Sequence, residues 1–120
     1  MASNIKQSLE SLLTTDGALV AALVDSESGM VLGQAGAGLD IELACAGNTE
    51  VVRAKLKTMR SLKLDDYIED MLITLGKQYH IIRPMHSKPD IFLYFVLDKS
   101  KSNLALARRS LHDIETGLQF

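Results

Sequence analysis

The residues of this chain whose types could do chemistry are one cysteine, three histidines, a short glycine-rich run and an asparagine set among apolar neighbours. A thiol becomes a nucleophile when a nearby base or positive field lowers its pKa. Cys45 has no histidine near it in sequence and falls on an apolar stripe, so it reads as a small buried hydrophobe. His80 lies in a strand pattern beside Ile81, His86 in a loop, and His112 on the side of a helix away from its apolar stripe. Their spacing is not that of metal ligands, and each is expected to be solvated or to make a single hydrogen bond. The run 33–38, GQAGAG, looks superficially like a phosphate-binding loop. It lacks both the G-x-G-x-x-G order and the Lys-Ser or Lys-Thr of a P-loop. Asp40 and Glu42 also place negative charge where a phosphate would meet the following helix. It is expected to be a flexible connection. Asp65-Asp66 reads as a solvated junction, and Arg108-Arg109 as the wet side of a helix or a partner contact. No catalytic set, metal site or cofactor is expected.

Asn48 differs from these, because it sits on an apolar stripe between Ala44 and Val52. A buried amide without a partner costs a few kcal/mol. It either bonds a nearby backbone group or fixes register across an interface, as single buried asparagines do in coiled coils.

The element that carries Cys45 and Asn48 is residues 40–62, rich in helix formers, with Asp40 as the expected N-cap. At helical spacing its residues form two stripes. One is Ile41, Ala44, Cys45, Asn48, Val52, Leu56, Met59 and Leu62; the other, mostly small, is Leu43, Gly47, Val51, Ala54, Thr58 and Ser61. Glu42, Glu50, Arg53, Lys57 and Arg60 fill the charged sector. A surface helix needs one buried stripe. A second stripe of small residues suggests close approach by another backbone, and so an interaction surface.

The rest of the chain supplies a sheet and two flanking helices. A length of 120 residues fits a single domain, 1–120. A short helix capped by Ser3 buries Ile5, Leu9, Leu12 and Leu13. Strands are expected at 18–25, 30–35, 67–75, 79–85 and 91–97, with Gly33 at a bulge or edge position and Pro84 ending its strand or marking a bulge. A last helix, capped by Asp98 or Ser100, buries Leu104, Ala107, Leu111, Ile114 and Leu118. The order is α-β-β-α-β-β-β-α, an α/β (α+β) sandwich. Short strand connections imply a mostly antiparallel five-stranded sheet. The first and fifth strands are the most apolar and should be central, the second and third at the edges. The long helix should cover one face and the terminal helices the other.

A net charge of −2 argues against nucleic-acid binding by bulk charge. One cysteine excludes an internal disulfide framework. Residues 1–10 lack the apolar core of a signal peptide, and the apolar runs 18–24 and 91–97 are too short to span a bilayer as helices. A soluble, cytoplasmic protein with no membrane insertion is expected.

In element order and in the stretches DGALVAALVDSESGMVLG, DIELACAGNTEVVRAKLKTM, EDMLITLGKQYHIIRPM and IFLYFVLDKSKSNLALARRSL, the chain resembles the roadblock/dynein light chain family, of profilin- and longin-like architecture. A Pro-Gly pair often precedes the first strand in that family; here the residues are Thr15-Asp16-Gly17. The resemblance implies homo- or heterodimers in which the middle helices lie antiparallel and the third strands, here 68–75, pair edge to edge. The interface would then hold Leu43, Gly47, Val51, Ala54, Thr58, Ser61, Ile68, Met71 and Ile73, with Asn48 near the boundary. Glu42 and Glu50 lie early and Lys57 and Arg60 late, which suits antiparallel pairing. The resemblance also implies a non-catalytic signalling scaffold or regulator of a Ras-like small GTPase. The expected contact is near Glu50, Arg53, Lys57 and Arg60, with no arginine finger assigned. A small-ligand sensory module is the alternative.

Overall fold

The computed structural model describes residues 3–120. Its elements are α1 (Ile5–Leu12), β1 (Ala18–Asp25), β2 (Val31–Gly36), α2 (Ile41–Ser61), β3 (Met71–Thr74), β4 (Gln78–Pro84), β5 (Ile91–Asp98) and α3 (Leu104–Gly117). The strands form one sheet in the order β2-β1-β5-β4-β3, with every pairing antiparallel. This is the α+β sandwich expected, with β1 and β5 inside and β2 and β3 at the edges.

Alternation along the strands divides the core in two. Ala21, Leu23, Ile81, Leu93, Phe95 and Leu97 face α1 and α3, which contribute Leu9, Leu12, Ala107 and Leu111. Val20, Ala22, Val24, Ile82, Phe92, Tyr94 and Val96 face α2, which contributes Ile41, Cys45 and Val52. β1 and β5 are covered on both faces, which is why their sequences run apolar without alternation.

Two glycines allow close packing at the edge strand β2. A Cβ on Gly33 would lie 2.5 Å from Ile5 Cγ2 of α1, beside a register shift opposite Leu23 and Val24. Gly36 has φ +92, and a Cβ there would meet the Leu19 carbonyl oxygen at 2.1 Å. The glycine run is therefore placed by packing against β1 and α1, and Gly36 ends a strand rather than starting a loose loop.

Several expected boundaries move. Asn4, not Ser3, occupies the N-cap position of α1; Ser3 Oγ still accepts from the Ile5 amide at 3.3 Å. The Asn4 side chain is taken by the C-terminus: Nδ2 donates to the Gly117 carbonyl at 2.8 Å, and Oδ1 accepts from the Gln119 amide at 2.6 Å. Asp98 accepts from the Ser100 amide at 3.0 Å, but this caps a 3-10 turn over Lys99–Lys101; Asn103 caps α3, accepting from Leu106 at 3.1 Å. The chain is extended at Ser102, so the helix cannot begin until after it.

The largest shift is in the third strand, which spans four residues instead of 67–75. Asp70 is drawn away by a bidentate pair with Arg108 of α3, Nε at 2.9 Å and Nη2 at 3.2 Å. Tyr67 sits edge-to-face on His86, with centroids 5.0 Å apart. Residues 67–70 thus pack toward α3 and leave the sheet, and Ile68 lies outside the strand.

Candidate functional site

Helix α2 is built as its sequence implies at both ends. Asp40 Oδ1 accepts from the Leu43 amide at 3.1 Å, relieving one of the unsatisfied N–H groups of the first turn. At the other end Lys63 takes φ 57, Leu64 N–H donates to the Met59 carbonyl at 3.0 Å and Lys63 N–H to Arg60 at 3.0 Å. That pair of bonds is a Schellman motif with a lysine where glycine is usual.

The first stripe packs on the sheet as expected for Ile41, Cys45, Val52 and Met59, which are buried, with Ala44, Asn48 and Leu56 half-buried. Leu62 is exposed, because it lies past the helix end. Thr49 takes a place on the buried face that was not expected, and its hydroxyl donates to the Cys45 carbonyl at 2.8 Å. A threonine satisfies itself this way inside a helix; helical period sets it between Cys45 and Val52, and only its polar type leaves it out of the apolar stripe. Burial pushes the Cys45 thiol up to about 11, so it stays protonated and unreactive.

The second stripe is open. Leu43, Gly47, Val51, Ala54, Thr58 and Ser61 are all exposed, Leu43 at 70% and Val51 at 40%. A Cβ added at Gly47 would meet nothing within 4 Å. Among the described residues this stripe therefore has no partner. Beside it, α2 approaches the sheet most closely over β1 and β2. That leaves the β3 edge with Ile73 38% and Leu75 43% exposed, and Met71 half-buried. Leu62, Leu64 and Tyr67, between the end of α2 and β3, are also exposed.

Of the charged sector, Glu50, Lys57 and Arg60 are exposed along the helix. Arg53 is also exposed, but its guanidinium donates through Nη2 to the Glu27 carbonyl. It is committed to the β1–β2 turn, where Asp25, Glu27 and Asp90 stand together.

His86 and His112 are exposed, His112 with one side-chain bond, as expected; His80 departs from the expectation of one bond or none. His80 is half-buried on the α2 face of β4 and makes two bonds: Nδ1 with the Tyr94 hydroxyl at 2.9 Å and Nε2 with Gln78 Oε1 at 2.8 Å. Burial lowers its pKa from 6.5. Burial raises that of Tyr94, against which the neighbouring Asn48 amide works in the opposite sense. Asn48 thus lies where α2 meets the Tyr94–His80 pair.

On the other side of the sheet, Asp70, Arg83, His86, Arg108, His112 and Glu115 line an open groove of about 1030 Å³. Glu115 accepts from Arg83 Nε at 2.6 Å and from the His86 amide at 2.7 Å. His112 Nδ1 lies 3.3 Å from Arg83 Nη2. Burial alone would raise Glu115, but the His86 amide and Arg83 hold it below the ordinary carboxylate value. The sequence reading missed this network; its one local sign is that Glu115 follows Leu111 by one helical turn and so borders the buried stripe.

Compared with solved structures, the chain superposes on a Roadblock/LC7 domain from Streptomyces avermitilis with TM-score 0.82 at 11% identity, covering 96% of this chain and 94% of that one. It superposes on Myxococcus xanthus MglB with TM-score 0.82 at 17% identity, covering 94% and 89%. It superposes on the gliding protein MglB of Thermus thermophilus with TM-score 0.70 at 17% identity, covering 92% and 87%. No protein-family model matches the sequence, and a search of curated proteins found no match. The fold is that of the roadblock domain.

Proposed function

We propose that this chain is a member of the roadblock family acting as a non-catalytic homodimeric regulator or scaffold of a Ras-like small GTPase in the cytoplasm. The observation that carries the reading is the exposed stripe from Leu43 to Ser61 on a helix whose other stripe is buried. A glycine, an alanine and two small hydroxyl residues let two helix backbones come close. Antiparallel pairing sets Glu42 and Glu50 of one copy near Lys57 and Arg60 of the other. Exposed pairs of this kind are worth under about 1 kcal/mol each and set orientation more than affinity. Pairing of β3 with its counterpart through Met71 and Ile73 removes an unprotected sheet edge. Ile68, outside the strand, borders that contact.

The GTPase assignment rests on the family resemblance and on likeness in fold to gliding proteins. Glu50, Lys57 and Arg60 form the partner-facing ridge, with Arg53 bracing the β1–β2 turn beside it. The contact stabilises or repositions the GTPase's own residues rather than supplying a catalytic side chain. The buried, protonated Cys45 and the absence of a membrane-length apolar helix among the described residues fit an interaction module that neither reacts nor inserts. A pull-down with the full chain as bait, using Ras-like GTPases loaded with GDP or a GTP analogue, tests this. Nucleotide-dependent capture, weakened by Lys57→Glu together with Arg60→Glu, is expected. Capture unaffected by that double substitution contradicts the ridge, and no capture in either nucleotide state contradicts the GTPase reading.

A further inference from the structure

We propose that His80 makes the homodimer proton-sensitive: its neutral ring is required where a second copy covers the β3–β4 part of the sheet, so acidification separates the copies. This rests on the homodimer reading above and concerns the regulation of that interface.

The geometry comes from the sheet register. His80 stands directly opposite Ile73 of the edge strand β3 and opposite Val96 of β5. Its side chain lies on the α2 face, edge-to-face with the Tyr94 ring at 5.7 Å. Its own α2 runs nearest β1 and β2, so the ring keeps part of its surface open on the side where Ile73 is exposed. A second helix laid beside the open stripe of α2 covers that side, continuous with the small-residue contact.

The hydrogen bonds fix the tautomer of the neutral ring. Gln78 Oε1 is an acceptor, so Nε2 carries the proton and Nδ1 accepts from the Tyr94 hydroxyl. Burial already disfavours the imidazolium in the single chain. A proton on Nδ1 turns the acceptor facing Tyr94 into a donor, so the hydroxyl proton must turn away from the ring, toward the Asn48 side. It also leaves a cation under the second copy.

The surrounding groups do not neutralise that cation. β3 contributes Met71 and Ile73, and α2 contributes Asn48, the protonated Cys45 and, two turns beyond Asn48, the cation Lys55. β5 contributes Tyr94 and, one same-face position beyond Val96, the exposed carboxylate of Asp98, whose Oδ1 is taken by the Ser100 amide and hydroxyl. Lys99 reaches the Tyr79 ring, which packs with the other core.

Linkage sets the sign. The dimer binds fewer protons than two separate chains, so its dissociation constant rises as pH falls through the lowered His80 pKa. One pKa unit of difference at one ring gives about a tenfold change, and at both rings about a hundredfold. The test is sedimentation equilibrium of the full chain at pH 7.5 and 5.5. It is run on the unsubstituted protein, on His80→Asn and on a His86→Asn/His112→Asn control. A severalfold rise in the dissociation constant at pH 5.5, part of the full factor reached only below both pKa values, retained in the control and lost in His80→Asn, is expected. A dimer of equal affinity at both pH values overturns the proton linkage alone, as does a pH effect that survives in His80→Asn. A monomer at every pH overturns the homodimer reading itself. Should His80→Asn not fold, NMR titration of the histidine rings decides. The His80 pKa must be lower at concentrations where the protein is dimeric than at dilutions where it is monomeric; equal values overturn the proposal.

Discussion

Gly47 separates what α2 needs as a helix from what it offers a partner. It lies inside a 21-residue helix, and a Cβ there meets nothing within 4 Å in the single chain. Glycine in a helix interior is less favourable than alanine by about 0.8–1 kcal/mol. Gly47→Ala should therefore stabilise the isolated chain by about that amount, which for a domain of this size raises the melting temperature by about 4 °C. Leucine, nearly as good a helix former, should also leave the fold intact. In a pair of closely packed helices the added side chain has no room, so Gly47→Leu should shift the protein toward monomer. Urea unfolding at high dilution reads the first effect and light scattering the second. Destabilisation by Gly47→Ala in dilute solution refutes the view that no atom of the same chain needs this glycine. A Gly47→Leu protein that keeps its dimer mass refutes the helix-pairing geometry.

Other consequences test separate parts of the structure. Lys63→Gly should stabilise by roughly 0.5–1 kcal/mol, because a left-handed backbone costs an L-residue about 1–2 kcal/mol and glycine returns part of that as unfolded-state entropy; an equilibrium urea titration showing a loss would contradict the helix-end geometry. Gly36→Ala should destabilise by about 2 kcal/mol or more, since both φ +92 and the Leu19 carbonyl at 2.1 Å oppose a side chain; a neutral result in thermal melts would remove the close approach. Glu115 is held ionised below its ordinary 4.5, so its contribution is complete above that pH and is lost as pH falls below it. Glu115→Gln should accordingly flatten that part of the stability-versus-pH curve and lower stability at neutral pH by about 1–3 kcal/mol, read by chemical denaturation across pH 3–7. The Cys45 thiol should resist a disulfide reagent at pH 8 until the protein unfolds; rapid labelling of the native chain would show that α2 does not seal it.

What the sequence disclosed and what it hid divide along physical lines. β1 and β5 were legible because burial on both faces leaves an unbroken apolar run, and α2 because Asp40 caps it and its stripes keep helical period. Those features settle strand order and the two-sided packing. The short β3 was not legible, because its limit is set by Asp70 pairing with Arg108, 38 residues away. Arg53 looked like a free surface cation and is braced on a carbonyl across the β1–β2 turn. The Arg83–Glu115–His112 network and the Tyr94–His80–Gln78 chain are likewise contacts between elements. Local pattern marks such residues as polar and says nothing of their partners. Alternation does place His80 on the face of Ile82, and the Tyr94 contact needed only the β4–β5 register that a single sequence does not supply.

The second stripe of α2 is the center of the account, and the molar mass of the protein in solution tests it most directly. Light scattering on the full chain should give about twice 13.2 kDa, and Ala54→Glu, which puts a charge into the middle of the stripe, should return it to 13.2 kDa with the fold intact by circular dichroism. A mass of 13.2 kDa for the unsubstituted chain, or an undiminished dimer for Ala54→Glu, would contradict it.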